Sequence, residues 1–416
     1  MIRLPSPPAP ADGDAAAQWV RSHLGDLCCD TATASPAFVG GQAAADRALS
    51  EFDVRGYAAG RNEVWPATRR AASKLSPYIR HGLLPLPLVW EHVESGPGRD
   101  VDKFREELLW QEYARHLYAR VGAGNARPLR YEPQSTGVES VSDLPDMACL
   151  RMVTAELESD GWLVNQARMW FASHWTVRNG WDWRRGEDYF FRHLLDGSRA
   201  ANRLGWQWTA GMATGRPYGF SQYQVRTRAP GLCSTCQLQS RCPIGSRPEP
   251  APLDPVPEVI VGPVSDEHAM AIAGPHRTIS TTTPEAVWVT AESIGAADPA
   301  VLANPALPVV FVFDEPMLRR LRLSGKRLVF LAQCLADLAT WRDLEVWRGD
   351  PVEVLAGRAL AATHTPVPGW RRRSARLLLA QVHPWPWLVT PDSGSLASFS
   401  TWRRRLQTVQ PRRARR

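Results

Sequence analysis

The sequence has no apolar run approaching the roughly 20 residues that cross a bilayer, so no membrane-spanning helix is expected. The stretch from Met1 to Gly13 holds one Arg, several Pro and no apolar core segment. That excludes a secretory signal and points to the cytoplasm. Cysteine is sparse and odd in number, at 7, which argues against a disulfide framework in a reducing compartment. There is no GxGxxG, so the sequence carries no dinucleotide fingerprint. Lysine is rare beside arginine, and no internal repeat is visible. Charged residues make up only 22% and apolar residues 44%, a balance that excludes wholesale disorder.

What is present starts with length. At about 150 residues per domain, 416 residues predict two or three domains. Tryptophan is in excess, with 18 against 8 Tyr and 11 Phe. The net charge of +7 suits phosphate partners. However, Arg403, Arg404, Arg405, Arg412, Arg413, Arg415 and Arg416 all lie in the last fifteen residues, so a solvated C-terminal segment that ends in a basic tail over 406–416 accounts for the surplus equally well.

Texture divides the chain. Residues 1–34 are rich in Ala, Pro and Asp and read as a low-complexity extension with a short helical patch near Gln18–Leu27. Residues 35–243 are mostly helical in pattern, as in Arg105–Tyr118, Asp146–Trp162 and Leu163–Thr176. Six prolines between Pro243 and Pro257 predict an extended linker over 244–257. From 258 to 405, short strand-like runs (Val259–Val261, Ala286–Thr290, Val309–Phe313, Leu344–Trp347, Trp387–Val389) alternate with helical segments (Lys326–Trp341, Pro351–Ala362). That alternation predicts a parallel α/β sheet. The expected fold class is therefore multi-domain, an all-helical domain followed by a smaller, Rossmann-like parallel α/β domain.

Within the helical half, Asn165-Gln-Ala-Arg-Met169 puts Asn and Arg on one helix face. Asp196-Gly197, Asn202 and Trp206-Gln-Trp208 follow. Arg and Asp beside paired indoles suit a planar, polar-edged cofactor. On spacing alone they read equally as a solvated Arg–Asp pair and core tryptophans.

The order of the pieces adds more. Tyr57-Ala-Ala-Gly-Arg61, Ser73-Lys-Leu-Ser-Pro-Tyr-Ile-Arg-His-Gly82, Phe104-Arg-Glu-Glu-Leu-Leu-Trp110, Gly161-Trp-Leu-Val-Asn-Gln-Ala-Arg-Met169, Asp182-Trp-Arg-Arg-Gly-Glu187, Leu195-Asp-Gly-Ser-Arg-Ala-Ala-Asn202 and Gly205-Trp-Gln-Trp208 follow one another. The run resembles the flavin-binding domain of the DNA photolyase and cryptochrome family. The resemblance implies flavin adenine dinucleotide (FAD) as cofactor and damaged DNA as partner, with a monomeric state and no membrane. It implies that Tyr57, Ser73, Lys74, Leu75, Ser76 and Phe104 surround the phosphates and ribityl chain. Asn165, Arg168, Asp196 and Ser198 would line the isoalloxazine, and Asn202 would face its N5. Arg61, Glu107, Trp110, Met169 and Trp208 would meet the lesion. Trp206 and Trp183 would begin an electron relay, whose third position falls near Tyr131, with Trp175 or Trp181 as substitutes. The implied activity is light-driven repair of pyrimidine dimers by electron transfer from excited reduced flavin to a flipped-out lesion. Asn165, in place of a His, leans toward the cyclobutane type.

Cys233-Ser-Thr-Cys236 and Cys242-Pro243 are spaced as metal-binding thiolates. Cys149 is the best fourth ligand, and it resembles a position of the iron–sulfur branch of the same family. A 4Fe–4S cluster, a zinc site and free thiols all remain open. Cys28, Cys29 and Cys334 have no such company.

The C-terminal half, with Val287-Trp-Val-Thr, Pro308–Pro316 and Arg327–Leu338, resembles the family's antenna domain, which normally precedes the flavin domain. The chain is thus expected to be circularly permuted; whether an antenna chromophore binds is unknown. Trp370-Arg-Arg-Arg373 either touches DNA or is solvated. Three departures stand out: Ser198 where the family has a second Asp, Gln111 where it has an Arg, and a cysteine segment in place of the helices after Trp-Gln-Trp. The rival readings are a cryptochrome-like blue-light sensor without repair activity and an iron–sulfur redox or binding protein.

Overall fold

A repeated local signal shapes the second half of the chain: an Asp placed just before a proline. Asp298 ends a turn, Asp314 ends a strand and Asp350 directly follows one; each accepts a hydrogen bond from a backbone N–H two or three residues on and is followed by Pro at the first or second helical position. The carboxylate satisfies donors that the helix cannot, and Pro has no N–H to lose there. Each cap starts a helix directly after a strand or turn, and the sheet assembles between them.

The computed structural model describes residues 1–135, 137, 140–248, 252–257, 260–367 and 369–408. Its strands are β1 (Ile2–Leu4), β2 (Tyr131–Pro133), β3 (Leu253–Pro255), β4 (Ile279–Ser280), β5 (Ala286–Val289), β6 (Val309–Asp314), β7 (Leu344–Gly349), β8 (Leu360–Thr363) and β9 (Leu379–His383). Seven of them form one sheet in the order β1-β7-β6-β5-β8-β9-β4. The strands from β5 to β9 are parallel, while β1 and β4 pair antiparallel at the two edges. All six residues of β6 are buried, as an apolar run covered on both faces must be. The chain grows from β5 toward β7 and then returns to the other side of β5 for β8 and β9. Ligand crevices open outside the carboxyl ends of strands at such a reversal.

Several expectations need correction here. The first 34 residues do not form a low-complexity extension. β1 joins the sheet beside β7, and the Gly13–Leu24 helix, capped by Asp12, packs on the Gly325–Leu338 helix. A three-residue edge strand carries too little pattern to be seen without its partner. The helical half is also not purely helical, because β2 and β3 pair as a small antiparallel ribbon, with β3 drawn from the proline-rich segment. Ile260 and Val261 form no strand, nor does Trp387–Val389, and 258–259 lie outside the described residues. Pro351–Ala362 splits into a single helical turn and β8.

The helical half contains Gly98–Val121, Ala148–Asp160, Asn165–Ser173, Trp183–His193, Ala201–Thr209 and Gln222–Arg228. The Asn165–Ser173 helix runs into a π-helical turn, His174–Arg178. The Gly325–Leu338 helix is buried along almost its whole length, since it is wedged between the sheet and the helical half. The C-terminal Phe399–Thr408 helix packs on Gly98–Val121. There Trp402 is fully buried and donates its indole N–H to His116 Nδ1 at 3.1 Å, while Tyr113 donates to the Leu396 carbonyl at 2.6 Å. Arg403 and Arg405 pair with Glu106 and Asp392, so the start of the basic segment is not merely solvated; 409–416 lie outside the described residues. Arg373 likewise pairs with Asp314 at 2.8 Å. No described helix is long and apolar enough to cross a membrane.

Candidate cofactor cavity

One cavity of about 1330 Å³ runs between the helical half and the sheet. Its far lobe reaches Thr290, Asp314 and Thr365, beside the carboxyl ends of β5, β6 and β8. Its near lobe is lined by Tyr57, Ser73, Lys74 and Ser76 and by Asn165, Arg168, Asp196, Ser198 and Asn202. Arg61, Glu107, Trp110, Met169, Trp206 and Trp208 border it as well.

The wall around Asp196 is rigid for identifiable reasons. Arg168 donates to both carboxylate oxygens of Asp196, at 3.2 and 2.8 Å, and to the Leu163 carbonyl at 3.0 Å. Such a two-pronged pair fixes both side chains in one plane. The next residue, Gly197, has its carbonyl held by Arg80 Nε at 3.1 Å and by the Arg327 guanidinium at 2.9 Å. A Cβ on Gly197 would come within 2.8 Å of the Leu194 carbonyl and 3.0 Å of Arg327, so only glycine fits. Burial, then the neighbouring Arg80, lowers the pKa of Arg327 to about 9. Arg80 also pairs with Glu292 at 2.6 Å. Burial opposes ionisation of Glu292, but Arg80 outweighs it and holds the carboxyl below its usual range.

On the other side, Lys74 adopts the left-handed conformation at φ 57. A lysine there is strained, and strained backbone concentrates at functional sites. The turn sets Ser73 and Ser76 on the cavity, and Ser76 Oγ accepts the Trp162 indole N–H at 3.0 Å. Leu75 and Phe104 do not line the cavity. Leu75 is fully buried, and Phe104 sits edge-on behind Tyr57, with ring centres 5.0 Å apart. Both act as backing for lining residues. Trp183 is in the core with the Arg184 guanidinium 4.9 Å from its ring centre.

Asn202 is buried and donates its amide hydrogens to Glu187, to the backbone oxygen at 3.0 Å and to Oε1 at 2.7 Å. Its carbonyl oxygen is therefore the end left for the cavity. Burial raises the Glu187 pKa, against the pull of Arg199 and Arg203. Glu107 is held by Arg61 at 3.3 Å and Lys103 at 3.4 Å. Trp208 is 37% exposed. Trp110 has one face covered: Phe399 stacks on it, with ring centres 3.8 Å apart and planes 13° apart. Phe399 stands in no motif of the sequence; Glu187, Arg80 and Arg327 stand in motifs, but their partners show only in the fold, as with Arg80 and Arg327 on the Gly197 carbonyl more than a hundred residues away.

Trp206 lies edge-to-face with Trp175 at 6.5 Å, and Trp175 with the half-buried Trp181 at 4.9 Å. A Cβ on Gly186 would strike the Trp206 ring at 2.1 Å, so that glycine makes room for the indole.

Cys149, Cys233, Cys236 and Cys242 converge on a separate small cavity walled by Met147, Val225, Leu232 and Ile244. Burial, then the neighbouring cysteines, pushes the Cys149 thiol up to about 12. Among the described residues, no three of these sulfurs lie within 4.8 Å of one another.

Residues 148–229 match the family described as the FAD binding domain of DNA photolyase. The chain is similar to two curated proteins named deoxyribodipyrimidine photo-lyase. It is 33% identical to that of Thermus thermophilus, over 40% of this chain and 41% of the relative, and 28% identical to that of a Synechococcus, over 40% and 36%. The chain thus spans about two fifths of the length of the relatives it matches. Among solved structures it is similar to a bacterial class III photolyase from Agrobacterium tumefaciens, at 22% identity, covering 49% of this chain and 41% of that one, with a TM-score of 0.38.

The junction beside this cavity holds a pH-sensitive group. His81 is buried, bonds the Ala291 carbonyl through Nδ1 at 2.7 Å, and has its pKa lowered to about 3 by burial and then by Arg80. The unfolded chain binds a proton near pH 6.5, so the stability from neutral His81 is complete above that pH and is lost as pH falls toward 3. Denaturation midpoints measured from pH 7 to 4 are expected to fall, and to fall less steeply in His81→Gln; an equal slope in the variant contradicts the assignment.

Proposed function

We propose that the chain is a light-driven, FAD-dependent DNA lyase of the photolyase type that reverses pyrimidine dimers, of the cyclobutane kind. The observation that carries this reading is the near lobe of the cavity, where the Arg168–Asp196 pair, the oriented Asn202 and the Tyr57, Ser73 and Ser76 hydroxyls line one space. The match over 148–229 supports FAD as the occupant. The donor set fits it: hydroxyls and a lysine suit phosphates, and an Arg–Asp pair suits the polar edge of a flavin ring. Bound FAD supplies one-electron chemistry driven by light. The chain's own task is positional. Arg168 and Asp196 hold the ring edge, and Asn202 presents an acceptor to N5 with its amide tied back by Glu187. Glu107, between Arg61 and Lys103, offers a carboxylate to a flipped-out base, and Trp208 offers it an exposed stacking face. The indole chain from Trp206 through Trp175 to Trp181 provides a path for electrons from the surface, beside the expected one through Trp183. The order of the halves fits a circularly permuted relative, with the sheet as an antenna-like layer and β1 left at the N-terminus.

The four cysteines are proposed to hold a 4Fe–4S cluster. A single zinc with Zn–S bonds of about 2.3 Å would bring its sulfurs to about 3.8 Å from one another. The four sulfurs converge on one small apolar-walled cavity, which supports a shared ligand. A blue-light sensor without repair activity is the second reading, favoured by one observation: Phe399 already occupies a face of Trp110.

Illumination of the reduced, FAD-loaded protein with dimer-containing single-stranded DNA tests the main reading. Restored thymines in light and none in darkness are expected, with Glu107→Ala slower by roughly tenfold or more at unchanged flavin content. Absence of repair in a fully loaded protein rejects the lyase and leaves the sensor. For the cluster, Cys236→Ser is expected to lose bound iron; full retention of iron removes Cys236 from the ligand set.

A further inference from the structure

A third group of ligand-type side chains lies outside both cavities, where the N-terminal segment meets the helical half. Cys29 Sγ, an Asp30 carboxylate oxygen and a His193 ring nitrogen all lie within 4.8 Å of one another. They come from distant parts of the chain. Cys29 and Asp30 follow the helical turn Gly25–Leu27, and His193 is the last residue of the Trp183–His193 helix. Backbone contacts fix the first two. The Cys29 N–H donates to the Leu323 carbonyl at 3.0 Å, and the Gly325 N–H donates to Asp30 Oδ1 at 2.6 Å. Asp30 Oδ2 is left facing His193 Nδ1 at 3.8 Å. That distance is too long for a hydrogen bond. His193 Nδ1 is shielded from solvent and has no hydrogen-bond partner. Tyr189 stands against the imidazole, with ring centres 5.0 Å apart, and limits its rotation.

An orphaned imidazole nitrogen, a carboxylate oxygen and a thiol within 4.8 Å of one another form a donor set of mixed nitrogen, oxygen and sulfur. Two ligand atoms on one tetrahedral ion with bonds of about 2.1 Å stand about 3.4 Å apart, close to the separation found. We propose that Cys29, Asp30 and His193 bind a single zinc-class divalent cation, with water in the fourth position. One thiolate and one carboxylate balance the charge of a dication. Two of the three nearby cations are engaged elsewhere: Lys326 donates to the Glu158 carbonyl, and Arg322 donates to the Asp26 carbonyl at 2.9 Å; the third, Arg192, favours the Cys29 thiolate. Cys29 and Asp30 are exposed, so an ion can enter from solvent. His193 precedes Asp196 by a single turn, and the ion therefore pins the N-terminal segment to the element that carries the cavity wall. The site stands independently of the flavin reading.

The test uses the full chain and cobalt as the probe. Wild type titrated with Co²⁺ is expected to develop a thiolate-to-cobalt charge-transfer band whose amplitude falls by the contribution of one bound ion in Cys29→Ser and by the same contribution in His193→Ala, and Zn²⁺ is expected to displace it. Any cobalt taken by the four-cysteine cavity contributes equally to all three proteins, so the difference reports this site alone. Asp30→Asn, at an exposed position, gives a variant with unchanged folding in which the band weakens. Equal bands and equal stoichiometry in wild type and Cys29→Ser overturn the site. A band that needs Cys29 but is indifferent to His193 and Asp30 overturns it too, as the signature of metal on a lone thiol.

Discussion

Two guanidinium groups hold the carbonyl oxygen of Gly197, and the cavity depends on that grip. Arg80 reaches it from the helical half, and Arg327 reaches it from the buried helix that separates that half from the sheet. Burying two cations costs free energy unless every donor is satisfied and negative charge lies nearby. Here Arg327 gives its hydrogens to the Phe191 and Gly197 carbonyls, Arg80 pairs with Glu292, and Asp196 lies one residue away. The result is a turn that cannot drift, with Asp196 and Arg168 presented together on its cavity side. Both halves of the chain thus contribute to one wall, although only one half carries the residues that face a ligand there.

The same logic applies around Asn202. An amide alone can turn either end to a ligand. Glu187, buried behind it, takes both amide hydrogens and leaves the oxygen facing inward. Glu187 is in turn held by Arg199 and Arg203, and Arg203 donates to Asn125. The charged residues beneath the cavity therefore act on its chemistry by fixing orientations. Trp110 shows the opposite arrangement. Its ring is stacked by Phe399 from the C-terminal helix, and that helix is anchored by Trp402 in the core. A stacking surface that is half used internally limits what a planar ligand can do there, and the two proposed readings, repair and sensing, part at this residue.

Much of the cavity was legible in the sequence because its residues cluster in short motifs. Asn165 and Arg168 share one helix, and Asp196, Ser198 and Asn202 share one turn and helix start. The strong strands were legible too, since Val309–Phe313 is an unbroken apolar and aromatic run. Other parts were hidden for physical reasons. Leu360–Thr363 is rich in alanine and reads as helix by propensity; its neighbours β5 and β9 make it a strand. Trp387 looks like strand, yet its indole donates to the Ala273 carbonyl in an irregular segment. β1 is edge pairing across more than three hundred residues, and nothing local announces it. Leu75 and Phe104 fell within a motif but serve behind it, because a motif marks a neighbourhood and not a direction.

In the proposed function the near lobe holds FAD through the Arg168–Asp196 pair. Titration of flavin-free protein with FAD, followed by flavin fluorescence, tests it most directly. The account predicts one FAD per chain, with binding weakened by roughly tenfold or more in Asp196→Ala and Arg168→Ala at unchanged folded content. Equal affinity in all three proteins, or no saturable binding to the folded wild type, would contradict it.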